Sequence, residues 1–150
     1  HWQGLDLDPD AEVMVTSGAT EALAGALFGL IEPGDEVVLF QPLYDAYLPL
    51  VERAGGIARL VRLEPPNWTI TREKLAAAFS PRTKLVLINN PQNPTGVVHS
   101  RAELELVAEF CQAFDAYAVC DEVWEHVVFD GRVFQPLMAL PGMRGRTVKM

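Results

Sequence analysis

The chain has 150 residues, 49% of them apolar, a net charge of −8 and a pI near 4.8. That length fits one domain or part of one, with enough apolar residues for a sizeable core. The acidic balance disfavours nucleic-acid binding, because it repels phosphate backbones. No apolar run reaches the roughly 20 residues of a membrane helix, and no signal-peptide pattern opens the chain. The first residue is His1, not Met, so the chain is expected to be processed, cut or incompletely given. Only two cysteines occur, Cys111 and Cys120, too few for a disulfide framework. A reduced, cytoplasmic setting is expected, with Cys120 a buried thiol.

In chain order, strand and helix signals alternate. "EVMVTS", Glu12 to Ser17, reads as a strand. In the next segment Leu23, Ala26, Leu27 and Leu30 recur at helical spacing, and "EPGD" closes it as a turn. "EVVLF" at Glu36 is continuously apolar, as in a strand buried on both faces. "DAYLPLVERAGG" predicts a short helix stopped by Gly55 and Gly56, with Pro49 inside it. "IARLVRL" alternates with period two, as in a more exposed strand, and "PPNW" is a loop. Thr71 caps a helix that stops at Ser80-Pro81. "KLVLI", Lys84 to Ile88, is another buried strand. Ser100 and Glu103 form a capping box for a helix whose stripe is Leu104, Val107, Cys111 and Phe114. "YAVCDEVW" and "RTVKM" are the last two strands. Helices between short apolar strands predict a three-layer α/β/α architecture with a mostly parallel sheet.

Ligands of such sheets bind at the carboxyl ends of the strands. At the first end, "TSGATEA" runs straight into a helix. Gly18, Ala19 and Thr20 could cradle a phosphate on unpartnered N–H groups, or simply cap the helix. No dinucleotide fingerprint or phosphate-binding P-loop motif occurs, which disfavours a nucleotide enzyme. At the second end, Tyr44 and Tyr47 are either ligand platforms or packing between helix and sheet. At the third, "INNPQNPTG" crowds three Asn and two Pro into Asn89 to Thr95. Asn93 offers both a donor and an acceptor, and the prolines leave it little entropy to lose on binding. The alternative is a rigid turn. At the fourth, Asp121 follows an apolar run, and a partly buried carboxylate needs a cation or several donors. A protonated ring nitrogen of a cofactor, an Arg, or a turn that it caps would each serve. Glu122 should face the other side of the sheet. His126 is expected to be structural or at a site rim, since no His or Cys cluster has metal-ligand spacing. No serine or cysteine nucleophile signature is present.

Taken in order, "SGATEA", "QPLYDAY", "NPQNPTG" and "CDEVWEHVVFDG" resemble class I/II aminotransferases, fold-type I pyridoxal-phosphate enzymes. The resemblance spans essentially the whole chain. It is nearest to kynurenine- and methionine-type aminotransferases and their cysteine–sulfur lyase relatives. It implies an incomplete cofactor-binding large domain and the following roles. Gly18, Ala19 and Thr20 would hold the cofactor phosphate. Tyr44 would stack on the ring, and Tyr47 would border the substrate pocket. Asn93 would hydrogen-bond the ring's 3′ oxygen, with Asn93-Pro94 in cis. Asp121 would pair with the pyridine nitrogen, Asp121 and Asn93 being the catalytic candidates. Relatives often carry Tyr where Trp124 stands, so Trp124 is a weaker cofactor contact, able to donate but not to accept.

The same resemblance implies a Schiff-base lysine beyond Met150. Lys74, Lys84 and Lys149 do not fit that role. It also implies a later substrate-binding Arg, a small domain, an amino-terminal segment over the site, and a final strand inserted between "EVMVTS" and the strand at Thr147. Amino acid and 2-oxo acid substrates, no nucleic-acid or membrane partner, and a homodimer at full length are expected. The 150 residues alone should be poorly folded and inactive. A β-eliminating lyase, the effector domain of a transcription regulator and a catalytically dead homologue are the alternatives.

Overall fold

A computed structural model describes residues 4–150. Five parallel strands form one sheet: β1 (Glu36–Gln41), β2 (Ile57–Arg62), β3 (Thr83–Asn89), β4 (Tyr117–Asp121) and β5 (Thr147–Lys149), in the order β2-β1-β3-β4-β5. Four helices connect or precede them: α1 (Ala19–Leu30), α2 (Tyr47–Arg53), α3 (Arg72–Ala78) and α4 (Arg101–Ala113). Two 3₁₀ turns, Leu137–Ala139 and Arg144–Arg146, lead into β5.

Side chains alternate along each strand, so every central strand feeds two cores. Val37, Leu39, Leu85, Leu87 and Val119 meet Leu23 and Leu27 of α1 and Val51 of α2. Val38, Val86, Ile88, Ala118 and Cys120 meet Leu75 of α3 and Leu104, Val107 and Cys111 of α4 on the other face. Both cysteines are free and buried. These two layers are the three-layer architecture expected from the alternation of elements. β2 sits at an edge and leaves most of its residues exposed, as its period-two pattern indicates.

Local signals explain the ends of the helices. Thr71 caps α3 by accepting the Lys74 N–H. Ser100 and Glu103 form the reciprocal capping box of α4. α2 stops before Gly55, which takes the left-handed φ of 85°.

Two expectations are corrected. Glu12 to Ser17 forms no strand: Val13, Met14 and Val15 are exposed, Val15 at 94%. Among the described residues it has no strand to pair with, and backbone without a ladder partner gains nothing by holding an extended register. A groove of about 500 Å³, walled by Leu5, Leu7, Val13 and Met14 on one side and Thr147 to Lys149 on the other, separates it from β5. The last long strand also ends early. β4 stops at Asp121, and residues 122–126 turn away instead of continuing through Trp124.

β1 leads to α2 on one face, and β3 leads to α4 on the other. The chain therefore diverges outside the carboxyl ends of these neighbouring strands, where doubly wound sheets open a crevice.

Candidate active site

Asn89 and Asp121 end β3 and β4 and are register partners. Both continue the face that carries Leu87 and Val119, the side packed by α1 and α2. Asn89 is buried, and its amide is used at both ends. Its Nδ2 donates to the Asp121 carbonyl at 2.8 Å, and its Oδ1 accepts the Asn93 N–H at 2.6 Å. The Asn90 N–H also donates to the Asp121 carbonyl, at 3.0 Å. One side chain thus ties together the two strand ends that bear the candidate catalytic residues. Sequence reasoning missed Asn89. Its signal was there: a polar residue on the inward face of an otherwise apolar strand.

The segment carrying Asn93 is braced from within. Gly96 donates to the Gln92 carbonyl at 2.7 Å, Gln92 to the Val97 carbonyl at 2.9 Å, and the Thr95 hydroxyl to Gln92 Oε1 at 3.0 Å. Gln92 Nε2 reaches across to the Pro42 carbonyl at 2.8 Å, fastening this loop to the one that carries Tyr44. Asn90-Pro91, Gln41-Pro42 and Asn93-Pro94 are all cis, the last as the resemblance implies. The Asn93 side chain is half-buried and makes no hydrogen bond among the described residues, so its amide is available to a ligand.

Asp121 is half-buried. Its Oδ2 accepts the Tyr47 hydroxyl at 2.5 Å, and its Oδ1 accepts the Val123 N–H at 3.3 Å. Tyr47, expected to border a substrate pocket, is instead 3% exposed and committed to Asp121. Burial first, then the hydrogen bond to the Asp121 carboxylate, push its ionisation well above the usual tyrosine range. Tyr44 lies against it edge-on, with ring centroids 5.6 Å apart and 75° between planes, and is itself 41% exposed. Trp124 is half-exposed in the turn after β4.

α1 begins at Ala19, its cap residue Gly18 has φ 85°, and no side chain caps it. A side chain at Gly18 would meet nothing within 4 Å, but the positive φ favours glycine. Ser17 N–H is held by the Glu21 carboxylate. The first N–H groups of a helix lack intrahelical partners, and α1 packs beside β4.

Contacts therefore link Tyr44 to Tyr47, Tyr47 to Asp121 and, through Asn89, Asp121 to Asn93 at the carboxyl ends of the strands, and α1 packs against β4. The three lysines are engaged elsewhere. Lys74 donates to the Thr69 carbonyl at 3.3 Å, Lys84 lies over the Tyr117 ring, and Lys149 pairs with Glu122 at 3.2 Å and Glu125 at 3.5 Å. Glu122, just beyond the end of β4, is buried and pairs with Lys149. His126 pairs with Glu125 at 3.3 Å, and no group of three potential metal ligands exists among the described residues.

Comparison with known proteins places this crevice in context. The chain is 46% identical over 147 residues to the "Probable N-succinyldiaminopimelate aminotransferase DapC" of Mycobacterium tuberculosis, covering 97% of this chain and 37% of that protein. It is 40% identical over 156 residues to kynurenine–oxoglutarate transaminase 1 of Rattus norvegicus, again covering 97% and 37%. The solved N-succinyldiaminopimelate aminotransferase of M. tuberculosis superposes with a TM-score of 0.95 at 45% identity, over 97% of this chain and 38% of that one. The methionine aminotransferase structure from Escherichia coli gives a TM-score of 0.94 at 36% identity, over 98% and 38%. The chain thus spans under two-fifths of the length of these relatives. The sequence profile described as "Aminotransferase class I and II" matches residues 1–146, and the chain belongs to that family.

Proposed function

We propose that the protein containing these residues is a pyridoxal-phosphate-dependent aminotransferase, moving an amino group between an amino acid and a 2-oxo acid. The observation that carries this is the Asn89 bridge, which ties the Asn93 N–H to the Asp121 carbonyl at the carboxyl ends of β3 and β4.

Members of this family use pyridoxal 5′-phosphate, and the donor set suits it. The N–H groups of Gly18, Ala19 and Thr20, at a helix start that no side chain caps, would hold a phosphate, since a helix start favours an anion. Tyr44 would lie on the ring face. The amide of Asn93 would donate to the 3′ oxygen. The Asp121 carboxylate would pair with the protonated ring nitrogen and raise that nitrogen's pKa. When bound, the cofactor supplies an electron sink for the pair released as a substrate loses its α-proton. Trp124, half-exposed, would offer an indole N–H at the rim.

The groups that carry the proton and grip the substrate carboxylate belong to the remainder of a protein nearly three times this length, by comparison with the relatives. The groove between Val13 and β5 would seat a strand from that remainder, giving both exposed edges a partner. We place the full-length protein in the cytoplasm as a homodimer. Two free buried thiols support the reduced setting, and no helix among the described residues is long and apolar enough to cross a membrane.

The test uses the full-length protein. It should bind pyridoxal phosphate and form a new amino acid only when a 2-oxo acid is supplied. Replacement Asp121→Asn should lower the single-turnover rate as well as cofactor affinity. Product formation that ignores the 2-oxo acid, or an unchanged single-turnover rate in the variant, would refute the assignment.

A further inference from the structure

Asp121 has a protein partner that none of its assigned roles requires. Tyr47, from the first turn of α2, sends its hydroxyl 2.5 Å to Asp121 Oδ2. The ring is 3% exposed, and it packs in the core formed by α1, α2 and the strand residues Leu39, Leu87 and Val119. Its position has little freedom. The chain folds so that a residue 74 positions away in sequence meets Asp121, since β3 alone separates β1 from β4 in the sheet. On its other side Tyr47 abuts Tyr44, the candidate ring platform, in an edge-to-face contact.

We propose that Tyr47 is a positioning residue for the cofactor: its hydroxyl fixes the plane of the Asp121 carboxylate, and its ring sets the tilt of Tyr44. A carboxylate at a strand end can rotate about its last bond. A buried donor holding Oδ2, with the Val123 N–H on Oδ1, removes that freedom and leaves acceptor capacity on both oxygens for a ligand. Because burial and the Asp121 charge suppress its ionisation, the Tyr47 hydroxyl remains a donor throughout the physiological pH range. It therefore acts on Asp121 as a constant dipole. Such a hydrogen bond to an ionised group is among the stronger kinds. This role rests on the cofactor assignment above, in which Asp121 faces the ring nitrogen.

The experiment is a double-mutant cycle on cofactor affinity in the full-length enzyme. Parent, Tyr47→Phe, Asp121→Asn and the double variant are titrated with pyridoxal phosphate, followed by the absorbance and visible circular dichroism of the bound form. Phe retains the ring that packs in the core. Tyr47→Phe should weaken binding by about tenfold in the parent and reduce the visible circular-dichroism amplitude. In the Asp121→Asn background the same change should cost less than threefold, because the ionised partner is gone. A loss below threefold in the parent overturns the proposal. So does an equal loss in both backgrounds, which would mark Tyr47 as packing only. If Asp121→Asn binds as tightly as the parent, the cofactor assignment fails, and the proposal with it.

Discussion

Replacing Asn89 by Ala tests the bridge directly. The amide donates to the Asp121 carbonyl at 2.8 Å and accepts from the Asn93 N–H at 2.6 Å, from a side chain that is almost wholly buried. The two ends are not equivalent. The Asp121 carbonyl retains the Asn90 N–H at 3.0 Å, so losing Nδ2 should cost about 1 kcal/mol. The Asn93 N–H has no second acceptor among the described residues, and leaving a part-buried donor unpaired costs about 1–3 kcal/mol. The small cavity left by the amide adds to both. A total of about 2–4 kcal/mol follows, a large share of the roughly 5–15 kcal/mol of an ordinary domain. Urea unfolding of the full-length protein without cofactor reads this as a lower midpoint at unchanged slope. Asn89→Asp separates the two ends: it keeps the acceptor for Asn93, loses the donor to Asp121 and sets a buried carboxyl oxygen against the Asp121 carbonyl. It should retain more of the order of the 90–97 loop, followed by proteolysis, than Asn89→Ala does. A drop below about 0.5 kcal/mol in Asn89→Ala would show that the bridge contributes nothing and that the loop is held by Gln92 and its neighbours alone.

Two further predictions concern regions away from the crevice. Glu36 begins β1 at the opposite end of the sheet, fully buried, and accepts from Arg59 at 2.5 Å, Arg82 at 2.6 Å and Ser80 at 2.6 Å. Arg59 first, then Ser80 and Arg82, outweigh the effect of burial and hold its carboxyl down at about 2. Its stabilising contribution is therefore present above about pH 4.5 and lost as pH falls toward 2. Glu36→Gln should destabilise by about 2 kcal/mol at pH 7, modest because both arginines are partly exposed, and should flatten the acid limb of the stability curve in that window. Unchanged acid sensitivity by urea denaturation would contradict it. Gly142→Ala places a side chain at φ 77° against the Gln112 amide, which donates to the Ala108 and Pro141 carbonyls at 3.2 Å each. It should lower stability by about 1–2 kcal/mol, measured as the thermal midpoint, with no change in cofactor affinity.

Most of the architecture was legible in the sequence. Continuous apolar runs at Val37 to Phe40 and Leu85 to Ile88 could only be strands buried on both faces, and the caps at Thr71 and Ser100 marked their helices. Asp121 was legible for the same local reason: a carboxylate directly after an apolar strand must have a partner. Local pattern does not name that partner. Tyr47 read as a pocket-border residue, yet β1 and β4 bring it to Asp121 because β3 alone separates them in the sheet. Asn89 was visible only as one amide among several. Its bridging role depends on the parallel register that sets it opposite Asp121. "EVMVTS" shows the converse. Its apolar residues promised a strand, but a strand exists only where another supplies its hydrogen bonds, and none stands beside it among the described residues. The sequence by itself determined most of the elements and the two-faced core, because these follow from periodicity and local burial; the candidate site residues came from their likeness to a family. Strand order and register decided which of those residues touch, because long-range pairing is set by how the sheet is wound and not by any short stretch of chain.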